Sequence, residues 1–173
     1  TYPFVTSSNP ISGAACIGAG IGPHKIDQVI GVTKAYSTRV GEGPFPTETF
    51  DETGDYLREK GCEFGTTTSR PRRCGWLDLV VLRYSVRVNG ITEICFTKLD
   101  VLDELKTIKI CTAYQTSKGR VEEFPLDLDL FSEATPIYDE LPGWQEDISS
   151  ITDFEKLPQN AKNYVKYISN ILG

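Results

Sequence analysis

The sequence predicts an α/β fold, with strands and helices alternating through a single region, residues 1–173. Three observations support this prediction. Residues 2–6 are β-branched and aromatic, residues 77–88 carry an apolar stripe at helical spacing, and residues 108–124 have the pattern of a β-hairpin. We expect a mostly parallel sheet with flanking helices and one antiparallel β-hairpin excursion.

The first part of the chain is expected to hold one strand and two helices. The strand covers residues 2–6 and stops at the turn-forming residues 7–10. Pro23 suits the first position of a helix, and apolar residues from 26 to 33 would share one helical face as far as about residue 36. Asp51 is placed to cap a short helix that runs to residue 58.

The second part continues the alternation of helix and strand. The helix at 77–88 is expected to stop at Asn89-Gly90, since glycine readily takes the left-handed conformation that ends a helix. A short strand follows at 94–96, and a tight turn at 116–119 would join the strands of the hairpin. Pro158 begins a closing helix with an apolar face.

The net charge of −6 is unevenly distributed. Residues 121–155 contain eleven Asp and Glu and no Lys or Arg, so the rest of the chain carries a net charge of +5. The acidic segment is expected to be a solvated face. The basic remainder suits an anionic ligand, but charge alone does not choose among phosphate, carboxylate and nucleic acid.

Several classes of protein do not fit the composition. No apolar run is long enough to cross a membrane, and the first residues lack the order of a signal peptide. The five cysteines are widely spread without a C-x-x-C pair, which argues against a disulfide framework or a zinc site. We therefore expect a soluble, cytoplasmic protein with free thiols. The absence of Met and the immediate start on a predicted strand indicate an internal fragment.

The segment "TKLD" follows the predicted strand at 94–96, and strand ends are where open α/β sheets bind ligands. The Asp100 carboxylate can accept hydrogen bonds from both donors on the edge of guanine, and the Lys98 stem can lie over the purine. The alternative is an ordinary strand-to-loop junction with solvated charges. No G-x-x-x-x-G-K-[ST] phosphate loop is present.

The glycine-rich segment "SGAACIGAGIG" is a weaker signal. Its G-x-G-x-G spacing differs from the dinucleotide-binding pattern G-x-G-x-x-G, and tight turns before a helix account for it. His24, the only histidine, follows with no Ser or Cys partner nearby. We interpret His24 as a surface or packing residue rather than a general base.

The segment "EFGTTTSRPRRCGWLD" is the strongest candidate for a binding site. Arginine makes two-pronged hydrogen bonds to carboxylate and phosphate, and three neighbouring threonine hydroxyls suit the same oxygens. Pro71 restricts the backbone, so Arg70 and Arg72 can point to different targets. A solvated basic loop or a nucleic-acid surface remains the alternative.

These motifs together resemble one known family. The segments "TYPFVTSSNP", "GIGP", "KAYSTRVGEGPFPTE", "EFGTTTSRPRRCGWLD", "VNGITEICFTKLDVL" and "LPGW" are similar in order and spacing to the adenylosuccinate synthetases, and the resemblance covers essentially the whole chain. It implies a P-loop-GTPase-like fold and a ligase that uses GTP and Mg²⁺ to join L-aspartate to IMP. The products are adenylosuccinate, GDP and phosphate in the AMP branch of purine biosynthesis.

The resemblance also implies roles for individual residues. The aspartate loop would comprise Thr66, Thr67, Thr68, Ser69, Arg70, Pro71 and Arg72. IMP would be contacted by Thr6 and Arg70, and GTP by Arg72, Lys98, Leu99 and Asp100. Ser69 departs from the glycine that many family members have. No role is implied for Arg73.

The family's catalytic Asp and His, its metal site and the arginine that completes its homodimeric active site match no residue here. We therefore expect a C-terminal-half fragment without catalytic residues, with Mg²⁺ bound by parts of the enzyme outside this chain, and without synthetase activity by itself. A non-catalytic guanine-nucleotide-binding module is the alternative. Nucleic-acid binding and membrane association are not expected.

Overall fold

The computed structural model describes residues 3–5 and 8–173. Its helices are α1 (Ala14–Ala19), α2 (Glu52–Lys60), α3 (Leu79–Asn89), α4 (Leu128–Ser132) and α5 (Gln159–Leu172). The strands are β1 (Ile30–Lys34), β2 (Ser37–Arg39), β3 (Arg73–Gly75), β4 (Leu77–Asp78), β5 (Glu93–Thr97), β6 (Thr107–Thr116), β7 (Gly119–Val121) and β8 (Thr135–Pro142). Three short 3₁₀ turns lie at Pro23–Lys25, Leu99–Leu102 and Phe154–Lys156.

The strands form three groups. β1 and β5 form a parallel pair, and β2 and β3 form an antiparallel pair. The long strand β6 pairs with β4 in parallel and with β7 and β8 in antiparallel. The predicted α/β class is confirmed, including the antiparallel hairpin formed by β6 and β7.

The prediction of a helix from Pro23 to about residue 36 is wrong. Only Pro23–Lys25 is helical, as a 3₁₀ turn, and the chain then forms β1. The segment is rich in β-branched residues, and Gly31 at its centre disfavours a helix. Its backbone instead pairs with β5, with Val32 opposite Cys95. The glycine-rich segment before it, for which only turns were expected, contains the short helix α1.

Two further predictions concern strands. Of the predicted opening strand, residues 2 and 6 lie outside the described residues, and residues 3–5 form a turn, closed by a 2.9 Å hydrogen bond from Val5 N to Pro3 O. The strand β8 was not predicted, because it lies inside the acidic segment and contains residues of low strand propensity. All eleven acidic residues of that segment are exposed, so the predicted solvated face is confirmed.

The predicted helices α2, α3 and α5 are confirmed, and their ends follow local chemistry. The Asp51 side chain accepts hydrogen bonds from the first turn of α2, as predicted. Helix α3 begins two residues later than expected, because Leu77 and Asp78 pair with β6. It ends at Gly90, which is in the left-handed conformation.

The core joins α5 to the strand ends that carry the candidate site. The fully buried Tyr164 of α5 donates a hydrogen bond of 2.7 Å to the Ala35 carbonyl, just after β1. Trp144 Nε1 donates to Asp103 Oδ1 at 2.7 Å, which fixes the segment after β8 against the turn that follows β5. These contacts hold the ends of β1 and β5 at one side of the core.

A buried carboxyl group caps α3. Asp78 Oδ1 accepts hydrogen bonds from Val80 N and Val81 N at 3.0 and 3.1 Å, and Oδ2 accepts one from the Tyr114 hydroxyl. Burial raises the pKa of Asp78 to about 6, although these hydrogen bonds favour its charged form. The folded protein therefore holds this proton more tightly than the unfolded chain does.

We expect Asp78→Asn to remove a pH dependence of stability. Because the folded pKa is raised, the contribution of Asp78 to the free energy of unfolding falls as pH rises from about 4 to 6, by up to roughly 3 kcal/mol. Asparagine also caps helices but does not ionise. Urea unfolding of both proteins from pH 4 to 7 measures this difference, and parallel pH profiles would contradict it.

Candidate active site

The predicted aspartate loop lies between α2 and β3 and is closed by backbone hydrogen bonds. Gly65 N donates to Arg70 O at 2.8 Å, and Ser69 N donates to Gly65 O at 2.8 Å. At its base, Arg72 N donates to Glu63 O at 2.9 Å. Residues 66–71 are all exposed, so the three threonine hydroxyls stand on a closed loop in contact with solvent.

Ser69 has a left-handed backbone conformation, with φ of 53°. Residues other than glycine are disfavoured in this conformation because their Cβ atom approaches the following carbonyl oxygen. Glycine would adopt this conformation without that cost. The loop therefore carries local backbone strain.

Arg70 and Arg72 have different surroundings on either side of Pro71. The Arg70 guanidinium is exposed and makes no hydrogen bond to the described residues. Arg72 is half-buried, and its Nη1 donates to Glu63 Oε2 at 2.8 Å. Arg70 is thus available to a ligand, whereas Arg72 is held by the protein.

Arg73, for which the sequence indicated no role, holds the loop before α2. Its guanidinium forms an ion pair with Glu48 and donates to the carbonyl oxygens of Gly41 and Gly43 at 3.1 and 2.9 Å. It also lies over the Phe45 ring, 5.6 Å from the ring centre. These contacts give Arg73 a structural role.

The predicted guanine motif begins at the end of β5. Lys98 has a left-handed backbone with φ of 57°, and its Nζ donates to the Gly61 carbonyl. Nζ also lies 3.3 Å from Glu63 Oε1. Leu99 packs against the core, and the exposed Asp100 makes no side-chain hydrogen bond to the described residues.

Asp100 borders a cavity of about 560 Å³. Eight residues with polar side chains line it: Lys60, Asp100, Asp103, Glu104, Gln145, Glu146, Asp147 and Ser149. Asp103 is engaged by Trp144 and by the Ile148 amide. The exposed Asp100 carboxylate makes no hydrogen bond to the described residues, so it can accept hydrogen bonds from a molecule in this cavity.

Glu63 joins the two motifs, and sequence reasoning missed it. Its side chain is fully buried and lies within ion-pair distance of Lys34, Arg72 and Lys98. Burial raises the pKa of Glu63, but hydrogen bonds from Lys34, Tyr36 and Arg72 outweigh this effect and lower it to about 2. The one available signal was an acidic residue at the edge of a basic segment.

Other sequence-predicted residues lie apart from this cluster or cannot be placed. Thr6 lies outside the described residues. His24 is exposed on the 3₁₀ turn at Pro23–Lys25.

Across residues 3–5 and 8–173, no group of three or more His, Cys, Asp or Glu side chains is arranged to hold a metal ion. None of the helices in this part of the chain has the length and hydropathy of a membrane-crossing segment.

We expect Ser69→Gly to stabilise the protein by about 0.5 to 1 kcal/mol, because relief of left-handed strain exceeds the added entropy of the unfolded chain. Thr67→Gly is the matched control in the same loop. Thr67 has no positive φ, so that change should destabilise by about 0.5 to 1 kcal/mol. Chemical denaturation measures both changes, and two shifts of the same sign would refute the strain.

Comparisons with known proteins agree with the motifs. The family model described as adenylosuccinate synthetase matches residues 1–173. The adenylosuccinate synthetase of Carboxydothermus hydrogenoformans is 60% identical over 173 residues, which are all of this chain and 40% of that protein. That of Gloeobacter violaceus is 58% identical over 170 residues, covering 98% of this chain and 39% of the relative.

A solved structure gives the same result. The structure of fully ligated adenylosuccinate synthetase from Plasmodium falciparum superposes with a TM-score of 0.94 at 46% identity. The match covers 99% of this chain and 41% of that one. The chain thus spans about 40% of the length of the relatives it matches, and it belongs to the adenylosuccinate synthetase family.

Proposed function

We propose that this chain is part of a ligase that joins L-aspartate to IMP at the expense of GTP, forming adenylosuccinate, GDP and phosphate. One observation carries the proposal. Arg72 of the aspartate loop and Lys98 of the guanine motif both bind the buried carboxylate of Glu63. Arg72 and Lys98 lie 26 residues apart in sequence, and their shared partner supports the proposal that the two motifs contribute to one site.

The guanine end of this site would be formed by Lys98, Leu99 and Asp100. Because the Lys98 ammonium is held by Gly61 O and Glu63, its methylene stem can serve as an apolar surface for a purine ring. The free Asp100 carboxylate suits the two donors on the edge of guanine. Adenine has the opposite order of donor and acceptor there.

The aspartate end would be the loop Thr66, Thr67, Thr68, Ser69, Arg70, Pro71 and Arg72. The exposed hydroxyls and the unpaired Arg70 guanidinium among the described residues support binding of carboxylates. Arg70 would also contact IMP, together with Thr6. Arg72 would reach the guanine nucleotide while bound to Glu63.

In the proposed reaction, IMP loses its N1 proton and the γ-phosphoryl group of GTP is transferred to O6, which gives GDP and 6-phosphoryl-IMP. The aspartate amine then attacks C6 and displaces phosphate, forming the new C–N bond and losing a proton. The residues of this chain bind and orient aspartate and guanine. We propose that Mg²⁺, and the groups that move protons, are held by other parts of the whole enzyme.

Three further points belong to the same proposal. The chain corresponds to a C-terminal-half portion of the enzyme and is inactive alone, which agrees with its span of about 40% of its relatives. The whole enzyme is a homodimer. It works in the cytoplasm, which the five free cysteines support because thiols persist in reducing compartments.

We expect Arg70→Leu in the full-length enzyme to raise the KM for aspartate by about 30-fold or more, because loss of a two-pronged ion pair costs roughly 2 kcal/mol or more. Arg120→Leu is the control, since Arg120 is an exposed hairpin residue paired with Glu122. Steady-state kinetics at saturating GTP and IMP measure both variants. An unchanged KM in Arg70→Leu would reject the aspartate role.

We expect Asp100→Asn to lower GTP use by tenfold or more and to favour xanthosine triphosphate, because an amide donor would then face the guanine amine. Xanthine has a carbonyl oxygen there instead. The matched control is Glu104→Gln, which removes another acid from the same cavity. Retained preference for GTP in Asp100→Asn would refute guanine recognition by this residue.

An activity assay and a binding titration on the 173-residue chain distinguish a partial enzyme from a binding module. We expect no adenylosuccinate when it is incubated with GTP, IMP and aspartate, and measured turnover would overturn this expectation. Isothermal titration with GDP and ADP tests the alternative. Micromolar binding with preference for guanine would favour a guanine-nucleotide-binding module.

A further inference from the structure

Glu63 has four hydrogen-bonding or ionic partners divided between its two oxygens. Oε2 accepts from Arg72 Nη1 at 2.8 Å. Oε1 accepts from Lys34 Nζ at 2.8 Å and from the Tyr36 hydroxyl at 2.6 Å, and it lies 3.3 Å from Lys98 Nζ. One oxygen therefore faces the aspartate loop and the other faces the ends of β1 and β5.

The charges around this carboxylate do not cancel. Three cations surround one anion whose side chain has no exposed surface. Removal of that anion would leave Lys34, Arg72 and Lys98 in mutual repulsion in a partly desolvated place, where such repulsion is poorly screened. The positions of all three cations thus depend on Glu63.

We propose that Glu63 is a positioning residue that couples the aspartate loop to the guanine motif, by holding Arg72 on one carboxylate oxygen and Lys98 on the other. The inference rests on the proposed function. Glu63 is buried away from both ligands and acts through the two cations. Its rigid, planar carboxylate sets their separation, so a displacement of one cation is transmitted to the other.

A second carboxylate in the same region provides a matched control. Glu48 pairs with Arg73, the residue after Arg72, and its side chain is also largely buried. Its partner binds the carbonyl oxygens of Gly41 and Gly43 rather than either ligand-binding motif. Glu48→Gln therefore disturbs a neighbouring ion pair without disturbing the link between Arg72 and Lys98.

The test compares Glu63→Gln with Glu48→Gln in the full-length enzyme. In Glu63→Gln, the amide nitrogen is a hydrogen-bond donor and would face either Arg72 or Lys98, which are donors themselves. We therefore expect the KM values for aspartate and GTP to rise together, each by about tenfold or more, with a smaller change in kcat. Glu48→Gln should keep both KM values within about twofold. Equal kinetic effects in the two variants, or unchanged KM values in Glu63→Gln, would overturn the proposal.

If Glu63→Gln does not fold, Glu63→Asp is used for the same kinetic test. Aspartate keeps the charge that the cations require, but its shorter stem does not reach Arg72 and Lys98 together. Both KM values should again rise together, and a rise in only one would contradict the coupling.

Amide hydrogen exchange tests the coupling without activity. We expect residues 66–72 and 98–102 to exchange faster together in the folded Glu63 variant, and not in Glu48→Gln. Faster exchange in only one of the two segments would overturn the proposal. Wild-type enzyme that forms no adenylosuccinate would refute the proposed function, and the exchange experiment would still decide the coupling.

Discussion

The buried carboxylate of Glu63 is the interaction on which the candidate site depends. An ionised carboxylate is stable inside a protein only when donors replace the water it loses. Lys34 and Tyr36 come from the end of β1, Arg72 from the base of the aspartate loop, and Lys98 from the end of β5. Because these segments are distant in sequence, burial of one charge requires the fold to bring three chain segments together.

The backbone between α2 and the aspartate loop has the conformation that turns the Glu63 side chain inward. A Cβ atom on Gly61 would lie 2.2 Å from the Tyr36 hydroxyl and 2.6 Å from the Leu57 carbonyl oxygen, so only glycine fits there. Cys62 follows with a positive φ of 50°, and the chain then turns Glu63 inward. The Gly61 carbonyl accepts a hydrogen bond from Lys98 Nζ.

The sequence predicted the elements whose causes are local. Asp51 caps α2 through its side chain, Gly90 ends α3 through its left-handed conformation, and the apolar stripe of α5 is the face that this helix buries. It did not predict β1 or β8, since both depend on a partner strand elsewhere in the chain. The two candidate binding motifs could be recognised from their residue types, whereas Glu63 could not, because its contacts come from distant parts of the fold.

Burial of Glu63 also determines how this site responds to ionic strength. Ion pairs on the surface, such as Lys60 with Glu104, are weakened by dissolved ions that screen their charges. The Glu63 carboxylate has no exposed surface, so salt weakens its attraction for the partly exposed Arg72 much less. The arrangement of cations at the candidate site is therefore less sensitive to salt than the surface ion pairs are.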